Sequence, residues 1–216
     1  MNPNPGTNNM PNTLTRLQQM GQTYAVLNND HGGRLIILEK GARALDLKAV
    51  EDEPSAFWHD LNALHDDKNW NSGGDRTWLS PELDYFQDSS GIYHVPEHLD
   101  PGSWKLTQLS QSHAVANMTC DLQHSGSSKK IRIDLDKRYT LVPNPFLMNH
   151  SSLFPDCPSV SHVGFEVYTE INLTPLHSVP LTESFASPPG YCNLWIIAKC
   201  RLRVRFQLQR TARCVQ

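Results

Sequence analysis

An alternation of apolar and polar side chains between positions 130 and 141 limits this chain to a β-sheet fold. The apolar residues of this stretch fall on odd-numbered positions, and most of the even-numbered positions carry charge. Successive side chains of a strand point to opposite faces, so the pattern predicts a strand with one buried face. The residues expected to point inward are Ile131, Ile133, Leu135, Tyr139 and Leu141.

Similar segments, separated by Gly, Pro and polar turns, recur along the chain. They predict six further strands, at 22–27, 34–40, 43–50, 104–109, 114–122 and 163–173. The apolar run at 34–40 suits a strand buried on both faces. In the strand at 43–50, Leu45, Leu47 and Ala49 are expected to share one face. Apart from a short helix at 13–20, no long amphipathic helix is indicated before position 174. The prediction is an all-β sandwich.

Composition divides the chain into three parts. Residues 1–12 are rich in Asn, Pro and Gly and are expected to be disordered. Residues 13–176 would form the sandwich. The tail at 177–216 has one acidic residue, Glu183, six Lys or Arg residues and three of the five cysteines. It is either foreign to the fold or, because apolar residues alternate with arginines at 201–208, an amphipathic edge strand. An incomplete sandwich would expose strand edges, so self-association is a further expectation.

Charge and segment composition restrict the partners. A net charge of −3 gives no electrostatic reason to expect nucleic acid as a partner. No run approaches the roughly 18 apolar residues of a membrane span, and the N-terminus lacks the features of a signal peptide. We therefore expect no membrane partner and a cytoplasmic location.

Cysteine and histidine spacing gives no indication of a metal site. The five cysteines include no C-x-x-C pair, and their odd number argues against a disulfide framework. His94 and His98 have the i, i+4 spacing of a helical metal site, but Pro96 between them opposes a helix. No metal or cofactor is expected.

The segment at 69–82 combines residue types suited to holding a sugar ring. Gly73 and Gly74 allow close backbone approach, Trp78 offers a flat apolar face, and Asp75 and Arg76 can accept and donate hydrogen bonds. The alternative is a structural turn in which Trp fills the core and Asp75 forms a local ion pair with Arg76. Asp75 and Glu82 are also candidates for a catalytic carboxylate pair.

The motif G-G-D-R-x-W-x-x-P-E at 73–82, preceded by G-A-R-A-L-D-L at 41–47 and F-W-H at 57–59, resembles galactose-mutarotase-like proteins. The resemblance covers about 21–174, the opening half of such proteins, and is closest to a branch of that superfamily without characterised function. It implies a β-supersandwich whose concave face binds carbohydrate. Mutarotases use a histidine as general acid and a late glutamate as general base.

The resemblance leads to a function and to assigned roles. Arg76, Asp75 and Glu82 would bind sugar hydroxyls, Trp58 or Trp78 would form a stacking wall, and His59 would be the candidate acid. Because the late catalytic half has no counterpart here, we expect a carbohydrate-binding or sugar-active protein resembling aldose epimerases. The alternatives are a non-catalytic sugar-binding module and a truncated product without independent function.

Overall fold

Two antiparallel β-sheets form the framework of the described part of the protein. The computed structural model describes residues 12–66, 69, 71–79, 82–125, 129–143 and 161–176, and the backbone of a strand at 200–209. The smaller sheet has the order β1 (Tyr24–Asn28), β2 (Arg34–Leu38), β3 (Arg43–Lys48). The larger sheet has the order β4 (Lys105–Gln108), β5 (His113–Gln123), β6 (Lys130–Leu141), β7 (His162–Pro175), β8 (Cys200–Gln209). The predicted all-β, sandwich-like class is confirmed.

The main hydrophobic core lies where the two sheets share buried side chains. All five inward residues predicted for β6 are buried, and its bounds match the predicted ones. In β7, Val163, Phe165 and Val167 are buried, while Ile171 and Leu173 are only partly covered. Long period-two patterns therefore located both the strands and the core.

A second, smaller core lies on the other face of the three-stranded sheet. The helix α1 (Thr13–Gln19) begins where the Asn12 side chain accepts from the Thr15 amide at 2.9 Å and ends just before Gly21, at φ +63°. Short helical turns lie at Leu61–His65, Glu82–Asp84 and His98–Gly102. α1 and the first turn cover the outer residues of β2, so this strand is buried on both faces as predicted. No helix in the described part of the chain is long and apolar enough to cross a membrane.

A β-bulge overturns one prediction about β3. Ile36 pairs with Asp46 and Ile37 pairs with Ala44, so Leu45 is an extra residue in the register. Leu45 consequently packs in the smaller core, whereas Leu47 and Ala49 pack in the main core. The expectation that these three residues share a face is wrong because the bulge reverses the alternation.

The basic tail contributes a strand to the larger sheet. β8 pairs antiparallel with β7, with Arg205 opposite Glu166 and Arg201 opposite Glu170 in the register. A strand at this edge agrees with the second of the two interpretations of the tail. The boundary near 176 stays a prediction. The predictions for 1–11 and for the rest of the tail lie outside the described residues.

Candidate functional site

The 71–79 segment, which carries three of the six predicted site residues, runs along the outer edge of β3. The Asp75 amide donates to the Ala44 carbonyl at 3.1 Å, and the Gly74 amide donates to the Trp58 carbonyl at 2.9 Å. A β-bridge joins His59 to Gly73. Backbone bonds therefore hold the segment against two neighbouring stretches of chain.

The two glycines are required by close approach and by backbone conformation. Gly73 and Gly74 have φ of +85° and +71°. A Cβ at Gly74 would lie 2.6 Å from the Ala44 carbonyl oxygen, and one at Gly73 would overlap the backbone of Trp58 and His59. The close approach predicted for this pair exists, and its partner is the protein's own backbone.

A buried ion pair lies behind the segment. Arg43 Nη2 donates to both carboxylate oxygens of Asp100, at 2.6 and 2.8 Å, and Arg43 Nη1 donates to the Gly73 carbonyl at 2.8 Å. The Trp78 indole Nε1 donates to Asp100 Oδ2 at 2.8 Å. Asp100 thus fixes the orientation of the Trp78 ring.

A second buried ion pair ties the segment to the larger sheet. Lys137, 2% exposed, donates from Nζ to the Ala42 carbonyl at 2.8 Å and lies 3.3 Å from Asp75 Oδ2. Asp75 Oδ1 also accepts from the Ala44 amide. Burial lowers the pKa of Lys137, and the Asp75 carboxylate opposes that shift. Tyr139 donates to the same Ala42 carbonyl, and burial raises its pKa well above the usual value.

These contacts give Asp75 a structural position. Its side chain is 15% exposed, and both carboxylate oxygens bond the scaffold. Its ionic partner is Lys137, not its chain neighbour Arg76, so the proposed local ion pair is wrong. The structural-turn interpretation therefore holds for Asp75 with a different partner.

An exposed polar and aromatic surface lies in front of this network. We call Arg76, Trp78, Glu82 and Tyr93 the Arg76 patch. The Arg76 guanidinium carbon lies 5.3 Å from the centre of the half-buried Trp78 ring, and Arg76 Nη2 donates to Asn71 Oδ1. The Tyr93 hydroxyl donates to Glu82 Oε2 at 3.1 Å. Three of the six predicted site residues meet here.

A buried aromatic ring connects the two halves of the patch. The Phe86 ring centre lies 5.3 Å from that of Trp78 and 6.0 Å from that of Tyr93. Burial, followed by the charge of Arg43, lowers the pKa of Arg76, while Asp100 and Tyr93 raise it. Burial and then the hydrogen bond to Glu82 raise the pKa of Tyr93. The patch therefore presents a guanidinium, a carboxylate and a phenol hydroxyl on an aromatic base.

The other two predicted residues precede the segment. Trp58 is 65% exposed. His59 Nε2 lies 3.5 Å from the Thr13 hydroxyl, and Nδ1 lies 3.4 Å from the Phe57 carbonyl, so the ring is directed at α1 and at the backbone two residues before it. The structure brings His59 next to Gly73 through the backbone only, and its role as an acid stays a prediction.

Four residues that organise the site were absent from the predictions. Lys137 could have been found from the sequence, because it occupies one of the odd-numbered, inward-facing positions of β6. A lysine buried there requires a hydrogen-bonding or charged partner. Tyr93, Arg43 and Asp100 carry no local signal, since their partners lie 11, 30 and 57 positions away in the sequence.

No family model, curated protein or solved structure matches the chain. Within the described ranges, no three or more His, Cys, Asp or Glu side chains are arranged to hold a metal ion.

Proposed function

We propose that this protein binds carbohydrate at the Arg76 patch without turning it over. The observation that carries the proposal is the stacking of Arg76 on Trp78, at 5.3 Å, beside the Tyr93–Glu82 hydrogen bond of 3.1 Å. A sugar offers hydroxyls that donate and accept in turn, together with an apolar ring face. The patch offers a matching group for each.

The polar groups are reachable and held in place. Arg76, Glu82 and Tyr93 are exposed, with 46% of Tyr93 accessible. The guanidinium is supported from below by the Trp78 ring, and the ring is fixed by Asp100. Pre-positioned side chains lose little freedom on binding, which favours affinity.

Binding alone is favoured over catalysis by the placement of the candidate acid and base groups. Both carboxylate oxygens of Asp75 bind the scaffold, one at Lys137 Nζ and the other at the Ala44 amide, so Asp75 does not form a carboxylate pair with Glu82. His59 contacts Thr13 and Phe57. An aldose-epimerase-like activity needs an acid and a base at one sugar, and Glu82 is the only one of these three groups in the patch.

Calorimetric titration against glucose, galactose, mannose, glucuronate and galacturonate tests the proposal. Arg76→Ala should weaken binding by about 1.5–3 kcal/mol, the size of a hydrogen bond to a charged group, which is roughly a tenfold to hundredfold rise in Kd. Arg138→Ala is the matched control, because Arg138 also lies over an aromatic ring, 5.6 Å from the centre of Tyr168, on another surface. No binding of any of these sugars, or equal affinity in Arg76→Ala and the wild type, would contradict the proposal.

A further inference from the structure

A groove of about 830 Å³ is lined in part by the segment that carries Tyr93 of the Arg76 patch. Its walls are the segment around 85–98, the end of β5 and the first residue of β6. This volume is within the range of small-molecule sites and exceeds what one contact patch for a single ring needs. The lining combines four charged and three apolar residues with imidazole, amide and hydroxyl groups that can both donate and accept, among them His94, His98, His124, Gln87, Gln123 and Ser125.

One segment separates the groove from the patch. Glu82 and Tyr93 belong to the patch, whereas Tyr85, Gln87 and His94 line the groove. Neighbouring residues of this segment therefore serve the two surfaces in turn. Tyr93 of the patch and His94 of the groove are adjacent in the chain, so the two surfaces are built on the same segment.

The shared segment is firmly held. The His94 amide donates to the Phe86 carbonyl at 2.9 Å, and a β-bridge joins Gln87 to Tyr93. On the β5 side, the Ser125 amide donates to the Asp84 carbonyl at 2.7 Å, and the Ser125 hydroxyl donates to the Leu83 carbonyl at 2.9 Å. The groove therefore keeps its shape through contacts at both of its sides.

We infer that the groove binds further sugar units of the same ligand, so that the protein recognises an oligosaccharide rather than a monosaccharide. This inference rests on the proposed function of the Arg76 patch. The Tyr85 ring is buried in the main core and packs edge-to-face against the half-buried His124, with centres 5.9 Å apart, so it holds this imidazole at the groove. The imidazoles of the lining supply partners for sugar hydroxyls. The groove adds to affinity only when the ligand is long enough to leave the patch.

The test compares chain lengths and two histidine variants by calorimetry. The probes are glucose and galacturonate with their 1,4-linked oligomers of two to five units. Affinity should rise at least about tenfold between the monosaccharide and the longest oligomer. The double variant His94→Ala/His98→Ala, at two exposed positions, should remove most of that gain and leave monosaccharide affinity unchanged. His113→Ala, an exposed histidine at the opposite end of β5, is the control.

The outcomes separate this inference from the proposal beneath it. If monosaccharide binding is sensitive to Arg76→Ala but does not strengthen with chain length, the inference about the groove is contradicted and the proposed binding at the Arg76 patch is not. A chain-length gain that survives His94→Ala/His98→Ala would also overturn it. No saccharide binding at all would contradict the proposed function itself.

Discussion

Lys137 Nζ lies 3.3 Å from Asp75 Oδ2, across 62 positions of the chain. This pair joins the middle of the larger sheet to the segment that carries Arg76 and Trp78. It also explains why a lysine can occupy an inward position of β6, since a buried ammonium requires hydrogen-bond acceptors and a negative partner. The position of the Arg76 patch therefore depends on contacts made inside the fold.

Removing the Lys137 ammonium should lower the free energy of unfolding. Lys137→Met leaves the Asp75 carboxylate largely buried without its partner, and we expect a loss of about 3–5 kcal/mol in the free energy of unfolding. Urea denaturation measures it, with Lys105→Met, at an exposed position of β4, as a control expected to change stability by about 0.5 kcal/mol or less. In a double-mutant cycle with Asp75→Asn, costs that simply add would contradict a direct interaction.

A comparison of Gly91 with Gly74 separates the cost of backbone strain from the cost of a steric clash. Gly91→Ala, at φ +79° with nothing within 4 Å of the new Cβ, should cost about 1–2 kcal/mol from the left-handed conformation alone. Gly74→Ala has a similar φ of +71° and also meets the Ala44 carbonyl, so it should cost roughly 1–3 kcal/mol more. Equal thermal or urea stability of the two variants would show that the segment does not press against β3.

His162 predicts how stability changes with pH. The residue is 1% exposed, neither ring nitrogen has a hydrogen-bond partner among the described residues, and burial lowers its pKa from 6.5. The unfolded chain then binds more protons than the folded one below pH 6.5, so this contribution to stability is present above that pH and is lost as the pH falls toward the folded pKa. Urea denaturation from pH 7.5 to 5 should show a steeper loss for the wild type than for His162→Leu. Parallel curves would mean that His162 does not titrate differently on folding.

Local patterns predicted the strands better than the site. The period of two in β6 and the apolar run in β2 follow from nearest-neighbour geometry, so their buried faces could be read directly. The predicted ends match for β6, whereas β2 ends at Leu38 and not at position 40. The bulge at Leu45 could not, because it arises from pairing with β2 and has no glycine to mark it. A single inserted residue was enough to reverse a predicted face.

The site was only half predictable for a related reason. Arg76, Trp78 and Glu82 lie close in sequence, and a shared loop brought them near one another. Whether a polar residue serves the ligand or the scaffold depends on distant partners. The sequence alone places Asp75 at the ligand, because its partner Lys137 lies in the larger sheet, 62 positions away. Tyr93 carries no comparable signal, because its contact with Glu82 forms only after the segment folds back.

The central claim is that sugar binds at the Arg76 patch, and an NMR titration of the ¹⁵N-labelled protein tests it most directly. Resonances of the Trp78 indole N–H, the Arg76 side chain and the Tyr93 amide should shift together as saccharide is added, with one common Kd. The Arg138 side chain and the Tyr168 amide should stay unchanged. A saccharide that shifts the resonances of Arg138 and Tyr168 but not those of Arg76, Trp78 and Tyr93, or that shifts none of them, would contradict the account.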